Sequence, residues 1–164
     1  RELGDGDYIC FTSGKNIFYI DEYIVDGEYI FMNDGGVADI KYNKGKAYYT
    51  DHTFTFTVDN SRLLPKFVYY FLKENEKYIN DTLFKGTGLK NLNKKAFAKF
   101  KIPIPPFAIQ KEIVKILDNF TELEAELEAE LEARRKQYEY YRGKLLLFQP
   151  ITAGLTRSPQ NNGE

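Results

Sequence analysis

The segment "KIPIPPFAIQKEIVKILDNFTELEAELEAELEARRKQYEYYRGKLLLF", Lys101–Phe148, decides the architecture of this chain. Its first six residues include three prolines, which exclude a regular helix and favour an extended linker. From Phe107 onward, apolar residues recur every three or four positions, the spacing of a heptad seam. This pattern predicts one helix of ~60 Å at a rise of ~1.5 Å per residue. So long a helix cannot bury its whole seam against one small domain, so we expect a partner helix.

The charges on this predicted helix indicate what the partner is. Residues 122–132 hold six glutamates and no base, and like charges four positions apart destabilise an isolated helix. An antiparallel copy of the same helix could bring Arg134, Arg135 and Lys136 beside them, although a solvated acidic face is the simpler alternative. The predicted dimer interface consists of Ile113, Ile116, Phe120, Leu123, Leu127, Leu131, Tyr138 and Leu145.

The residues before the linker change from strands to helices. Up to about Asn60, short runs rich in Ile, Tyr, Phe and Thr predict strands. Turn signals separate them at Ser13-Gly14, Asp34-Gly35-Gly36 and Asn43-Lys44-Gly45. Pro65 then opens one predicted helix, "PKFVYYFLKENEKYI", and Asn93 caps a second, short one.

Composition limits the class of protein. The formal net charge is −1, so any surface that binds a polyanion must be local. One cysteine, Cys10, allows no internal disulfide, and one histidine disfavours a zinc site. No apolar run approaches the ~20 residues of a membrane span. We therefore expect a cytoplasmic protein, and the start at Arg1 without Met leads us to expect a fragment or a trimmed chain.

Two segments have a composition that is typical of nucleic-acid-binding surfaces. Lys85–Lys101 carries six lysines and no acid, and its glycines allow backbone N–H groups to approach a phosphate. Within it, Asn91 and Asn93 have the amide geometry that reads adenine. Lys41–His52 alternates lysines with tyrosines, which also fits a solvated edge strand. The runner-up interpretation is a coiled-coil interaction module whose head binds protein instead of DNA.

A third interpretation, an enzyme, is disfavoured. "FKGTG" at Phe84–Gly88 and "PPF" at Pro105–Phe107 resemble the FxGxG loop and the NPPF segment of methyltransferases that use S-adenosylmethionine. Such a site needs Asn or Asp before the prolines to bind the target amino group, and this chain has Ile104 there. We therefore predict no catalytic residues and no metal site in this chain.

The order of motifs from Gly86 onward resembles the specificity subunit of type I restriction–modification systems. In that family a G-(S/T)-G-x-x-x-L element precedes I-P-x-P-P-x-x-x-Q-x-x-I, then I-L-D, then a heptad helix that ends near "KQYEYYRxxLL". The matching residues here are Gly86, Thr87, Gly88, Leu92, Ile102, Pro103, Pro105, Pro106, Gln110, Ile113, Ile116, Leu117 and Asp118, with Gln137–Leu146 at the end. The resemblance extends over about residues 5–148.

The resemblance implies a non-catalytic subunit that reads double-stranded DNA. A subunit of this family has two target-recognition domains and two helical regions that pack antiparallel, and each domain reads half of a split site. Methyltransferase subunits that use S-adenosylmethionine, and a restriction subunit that uses ATP and Mg²⁺, assemble on it, so no cofactor is implied for this chain. With one domain and one helix, the chain is expected to be a half-subunit that dimerises or half of a longer subunit.

Together these observations predict an α/β (α+β) target-recognition domain with a twisted mixed β-sheet over residues 1–106. A coiled-coil helix at 107–149 would hold two DNA half-sites one to two turns apart, and a flexible tail would follow at 150–164. The predicted DNA-binding residues are Ser13, Lys15, Asn33, Lys41, Lys46, Tyr48, Tyr49, His52, Lys85, Gly86, Thr87, Gly88, Lys90, Asn91 and Lys94.

Overall fold

Five strands come first along the chain, two helices follow, and a small hairpin and a short helix precede the long helix. The computed structural model describes residues 4–14 and 16–147. The strands are β1 (Tyr8–Phe11), β2 (Phe18–Ile20), β3 (Val25–Asn33), β4 (Ile40–Tyr49), β5 (Thr53–Phe56), β6 (Phe84–Lys85) and β7 (Asn91–Leu92). The helices are α1 (Pro65–Glu74), α2 (Glu76–Leu83), α3 (Lys94–Phe97) and α4 (Phe107–Leu146).

The main sheet is mixed, with the strand order β2-β1-β4-β3-β5. β1 runs parallel to β4, whereas the pairs β1–β2, β3–β4 and β3–β5 are antiparallel. β6 and β7 form a separate antiparallel hairpin. The predicted mixed sheet followed by a long C-terminal helix is confirmed.

The sheet bends back on itself. Phe11 pairs with Tyr49 and Phe31 pairs with Lys41, so the two pairs lie eight positions apart along β4, ~26 Å in a flat strand. The rings of Phe11 and Phe31 nevertheless stack with their centroids 4.1 Å apart. This contact requires a sharp bend of the sheet.

Two facing glycines permit this bend. Gly27 and Gly45 lie opposite each other in the β3–β4 pair, with φ angles of 142° and 111° that favour glycine. The turn predicted at Asn43-Lys44-Gly45 is therefore wrong: these residues stay inside β4. The local sequence resembles a turn, but the glycine bends a continuous strand.

The two faces of the bent sheet bury two clusters. On one face Ile30, Met32 and Ile40 pack with Val68 and Leu72 of α1. Inside the bend, a smaller cluster is formed by Phe11, Phe31 and Ala47, against which Tyr49 packs. The alternation of successive β3 residues between the two clusters follows from the two-residue repeat of a strand.

The helix predicted from Pro65 is two helices in the structure. It breaks at Asn75, whose backbone N–H and side-chain Nδ2 both donate to the carbonyl of Phe71, at 3.2 and 2.8 Å. These bonds satisfy the end of α1, and α2 begins at the next residue. The predicted cap at Asn93 is confirmed, because its side chain accepts a hydrogen bond from the Ala96 N–H at 3.0 Å.

The first turns of α4 are fastened to the domain by two polar side chains. Gln110 is fully buried; its Oε1 accepts from the Leu64 N–H at 2.9 Å, and its Nε2 donates to the carbonyls of Arg62 and Pro105 at 2.9 Å each. Two turns later, Asp118 accepts from Lys66 Nζ at 2.8 Å and from the Tyr70 hydroxyl at 2.5 Å.

Packing divides the chain into two units after Asp118, twelve residues into α4, whereas the sequence-based boundary at 106 marks only the helix start. The reason is that the first turns of α4 belong to the domain. Ile113 is partly buried against the larger core cluster, so it packs within the first unit, and its place in a dimer interface stays a prediction.

The second unit is described as far as residue 147 and is helical to Leu146. Phe120, Leu123, Leu127 and Leu131 line one shallow groove along it, with side chains 52–65% exposed. Arg134 and Lys136 form ion pairs with Glu130 and Glu132 one turn earlier, at 3.3 and 2.6 Å. Coiled-coil pairing stays a prediction. Within residues 4–14 and 16–147, no helix has the length and hydropathy needed to cross a bilayer.

Candidate nucleic-acid interface

Three loops and the β6–β7 hairpin meet in one open cleft of about 560 Å³, which we call the loop cleft. The loops follow β1, β3 and β4, and the hairpin contributes one wall. The lining residues are Ser13, Gly14, Asn33, Asp34, Gly35, Gly36, Val37, Ala38, Asp39, His52, Leu89 and Asn91. Segments far apart in sequence thus form one concave surface.

The β3–β4 loop, the floor of the cleft, is held at both ends. Asn33 Nδ2 donates to the Val37 carbonyl at 2.9 Å and closes the loop on itself. Side chains of α2 then accept two backbone N–H groups: Ala38 N–H donates to Asn80 Oδ1 at 3.0 Å, and Ile40 N–H donates to Glu76 Oε2 at 2.8 Å. Polar groups placed on this loop are therefore held in a fixed geometry before any ligand arrives.

The hairpin is hydrogen-bonded directly onto that loop. Gly36 N–H donates to the Lys90 carbonyl and Leu92 N–H donates to the Asp34 carbonyl, each at 2.8 Å. Gly35 allows this approach, because a Cβ there would lie 3.0 Å from Asn91 Oδ1. At the hairpin tip, Gly86 has a φ of 155°, and a Cβ would collide with the Leu89 carbonyl. The glycines fix the shape of the cleft wall.

Two carboxylates of the cleft are matched by cations. Asp39 Oδ2 lies 3.0 Å from Lys41 Nζ, and Asp39 Oδ1 lies 3.7 Å from Lys73 Nζ. Burial opposes the charged form of Lys73, but the hydrogen bond and charge of Glu76, with the charge of Asp39, outweigh it and raise the pKa of Lys73. The second carboxylate, Asp34, lies 3.4 Å from Lys94 Nζ and 4.0 Å from His52 Nδ1.

Positive charge lies on the exposed residues of the hairpin and of the segment that follows it. All six lysines between residues 85 and 101 are exposed. Lys94 contacts Asp34 and lies 5.5 Å from the centroid of the Phe54 ring. The predicted basic segment is thus on the surface, next to the loop cleft.

The structure brings together part of the predicted DNA-binding set. Four predicted residues, Ser13, Asn33, His52 and Asn91, line the loop cleft although up to 78 positions separate them in sequence. Asn33 is buried and its amide closes the β3–β4 loop, so its role is to shape the cleft. Lys85, Gly86, Thr87, Gly88, Lys90 and Lys94 lie on or just after the hairpin. Lys15 lies outside the described residues.

Four residues of β4 that the sequence predicts to bind DNA do not line the loop cleft. Lys41 is only 17% exposed and is engaged by Asp39 and by the Gly14 carbonyl at 2.5 Å. Lys46 Nζ lies over the rings of Tyr8 and Tyr23, 5.5 and 4.4 Å from their centroids. Tyr49 packs against the cluster inside the sheet bend, and Tyr48 pairs with Cys10 on the neighbouring strand. Strand pairing and core packing, invisible in the local basic–aromatic pattern, place these side chains.

Sequence reasoning missed the loop residues Asp34, Gly35, Gly36, Val37 and Asp39, and Leu89 of the hairpin. The run Asp34-Gly35-Gly36 predicts a turn, and binding residues are often on loops that a rigid scaffold positions. Asp39 and Lys41 stand two positions apart, a spacing that puts both on one side of an extended chain and indicates their pairing. Among the described residues, no group of three or more His, Cys, Asp or Glu side chains is arranged to hold a metal ion.

Comparison with known proteins gives consistent matches. A family model described as the type I restriction modification DNA specificity domain matches residues 2–133. A putative type I restriction enzyme specificity subunit of Haemophilus influenzae is 36% identical over 141 residues, 78% of this chain and 36% of the relative. A specificity subunit of an Escherichia coli type I restriction enzyme is 44% identical over 98 residues, 56% of this chain and 23% of the relative.

A solved structure shares the fold. The crystal structure of a type I restriction-modification system S subunit from M. genitalium superposes with a TM-score of 0.62 at 23% identity, covering 86% of this chain and 38% of that one. The chain thus spans less than half the length of these three proteins.

Proposed function

Because the chain belongs to the type I restriction modification DNA specificity domain family, we propose that it recognises double-stranded DNA through the loop cleft and the β6–β7 hairpin. It reads one half of a bipartite site and catalyses no reaction itself. The observation that carries this proposal is the attachment of a lysine-rich hairpin to a fixed polar cleft.

The two parts of this surface have different tasks. Exposed Lys85 and Lys90 on the hairpin attract phosphates, which gives affinity without sequence information. His52 and Asn91 in the cleft carry donors and acceptors that suit base edges. Hydrogen bonds between the hairpin and the β3–β4 loop hold the phosphate-binding lysines in a fixed position relative to the base-reading residues.

The proposal extends to the assembly. A methyltransferase subunit with S-adenosylmethionine and a restriction subunit with ATP and Mg²⁺ dock on the chain, which positions them at the site. A second specificity half, from another copy or from the rest of a longer subunit, pairs with the exposed apolar groove between Phe120 and Leu131. Support comes from the 52–65% exposure of four large apolar side chains on one helix face.

Binding to a random-sequence duplex at low salt tests the proposal directly. We expect a complex in a gel-shift assay that weakens steeply as salt rises, because lysines release counterions from phosphates. A head that binds no duplex at low salt would contradict the proposal and favour the protein-binding module. Mapping of methylated adenines in a host that carries the intact system then gives the sequence read.

A further inference from the structure

We propose that Asp34 reads a base: its carboxylate accepts a hydrogen bond from the exocyclic amino group of a cytosine or an adenine that meets the loop cleft. This inference rests on the proposed DNA-recognition function and assigns one element of its specificity. Cytosine N4 and adenine N6 present the same chemistry in the major groove, an N–H donor, so one acceptor suits both.

Asp34 lies where the β3–β4 loop, the loop after β4 and the β6–β7 hairpin are joined. Its backbone N–H donates to the His52 carbonyl at 3.1 Å and its carbonyl accepts from the Leu92 N–H at 2.8 Å. The adjacent Asn33 amide closes the loop through Val37. A residue whose backbone is held from both sides in this way loses little backbone freedom when its side chain binds a ligand.

The carboxylate retains acceptor capacity. An ionised carboxylate offers about four lone-pair sites, and tight charge-assisted bonds to it measure ~2.7–2.9 Å. Lys94 Nζ at 3.4 Å and His52 Nδ1 at 4.0 Å are both farther away than that, and the Asp34 side chain is 23% exposed. Asp39 is less exposed, at 18%, and faces two cations, Lys41 at 3.0 Å and Lys73 at 3.7 Å.

The sign of the charge selects the kind of ligand. A carboxylate repels phosphate, so Asp34 weakens the attraction of the surrounding lysines to the DNA backbone. It is suited instead to accept a hydrogen bond from a donor on a base edge. Val37 and Leu89, which also line the cleft, are 70% and 71% exposed and give apolar surface beside it. Once a base covers them, such neighbours exclude water from the carboxylate and strengthen a hydrogen bond to it.

The test is selection of bound sequences from a randomised duplex pool by the full chain and by Asp34→Ala. We expect the wild-type chain to select cytosine or adenine at one position about tenfold over other bases, and Asp34→Ala to lose that preference alone. Asp51→Ala is the matched control, because it removes an equal charge from the exposed turn beside His52. Its selected sequence should equal that of the wild-type chain.

Base analogues then show whether the amino group belongs to cytosine or to adenine. Because they change the DNA and not the protein, their result does not depend on how a variant folds. N4-methylcytosine, or 2-aminopurine in place of adenine, removes the free major-groove N–H while the protein stays wild type. We expect one of the two analogues to weaken binding by the wild-type chain about tenfold and to leave the affinity of Asp34→Ala unchanged.

Two results would overturn the inference, and they are distinguishable. If the wild-type chain and Asp34→Ala select the same sequence, or if neither analogue weakens wild-type binding, Asp34 reads no amino group although the proposed function stands. If the wild-type chain selects no sequence and binds no duplex, the proposed function fails together with the inference.

Discussion

Gln110 Oε1 accepts a hydrogen bond from the Leu64 N–H at 2.9 Å, and this bond joins the long helix to the start of α1 across 46 residues of sequence. The same side chain donates to the Arg62 and Pro105 carbonyls, so its three partners lie in the loop before α1 and in the proline linker. A fully buried amide with all these bonds made specifies one docking geometry.

Gln110→Ala should destabilise the domain by about 2–4 kcal/mol, because it leaves the partly buried Leu64 N–H and two carbonyls without their partner. Denaturant unfolding measures this free energy. The matched control is Gln137→Ala on the exposed part of α4, which should change stability by less than about 0.5 kcal/mol. Equal effects of the two substitutions would show that the Gln110 bonds do not hold the linker.

Low pH should weaken the second contact that holds α4 on the domain, in which Asp118 accepts hydrogen bonds from Lys66 and Tyr70. Burial alone would raise the pKa of Asp118, but hydrogen bonds from Lys66 and Tyr70 and the Lys66 charge outweigh it and lower the pKa below 3.8. A carboxyl whose pKa is lowered by folding stabilises the fold above its unfolded pKa, and this contribution is lost as pH falls through the folded pKa. We therefore expect the wild-type advantage over Asp118→Asn to be complete near neutral pH and to shrink below about pH 5.

Thermal melts of both proteins between neutral and acid pH check this prediction. Asp51→Asn in an exposed turn is the control, and its difference from wild type should vary less with pH. A wild-type advantage over Asp118→Asn that stays constant down to pH 3 would contradict the assigned role of Asp118.

The elements that sequence predicts well here are local. The 3-4 spacing after Phe107 fixes the long helix, and the Asn93 cap is satisfied by an N–H three residues away. The sequence does not predict the break at Asn75, because the apolar spacing continues through it while the Asn side chain competes for the Phe71 carbonyl. The local apolar spacing therefore predicts a helix, but a side-chain hydrogen bond to a backbone carbonyl decides where that helix ends.

The loop cleft depends on contacts that no local pattern displays. Asp34 meets Lys94, 60 residues later, only because the sheet and the hairpin are hydrogen-bonded together. The pairing of Gly27 with Gly45 bends β4, and Tyr49 packs against a core cluster inside the bend. The sequence therefore shows the basic segment but does not show that an acid lies beside it.

The hairpin tip should tolerate a methyl group at Gly88 but not at Gly86. Gly86→Ala forces a side chain into a φ of 155° and against the Leu89 carbonyl, so the hairpin must change shape. Gly88→Ala meets nothing within 4 Å. We expect Gly86→Ala to weaken binding to the specific duplex at least about fivefold (~1 kcal/mol), and Gly88→Ala to weaken it less in the same titration, because it leaves the hairpin fold intact. Equal affinities would mean that the tip geometry plays no part in recognition.

The hairpin lysines should govern the salt dependence of DNA binding. Replacing Lys85 and Lys90 by Ala removes two phosphate contacts, so the slope of log K against log salt should fall by about 2. The matched control replaces Lys44 and Lys77, which are 73% and 91% exposed and pair with Glu28 and Asp81. An unchanged slope in the Lys85/Lys90 variant, or the same fall in the control, would show that these lysines do not contact phosphate.

The exposed groove on α4 predicts that the helix pairs. Leu123 and Leu127, 52% and 65% exposed, lie on this groove, and aspartates there would place charges in any helix–helix contact. We expect Leu123→Asp/Leu127→Asp to be a monomer in analytical ultracentrifugation at concentrations where the wild-type chain is a dimer. The control Ala125→Asp/Ala129→Asp adds equal charge at equal spacing about 200° around the helix, so it should stay dimeric. A dimer that persists in the leucine variant would place the interface elsewhere, because two buried aspartates facing two more across a helix pair would repel each other and remain unpaired.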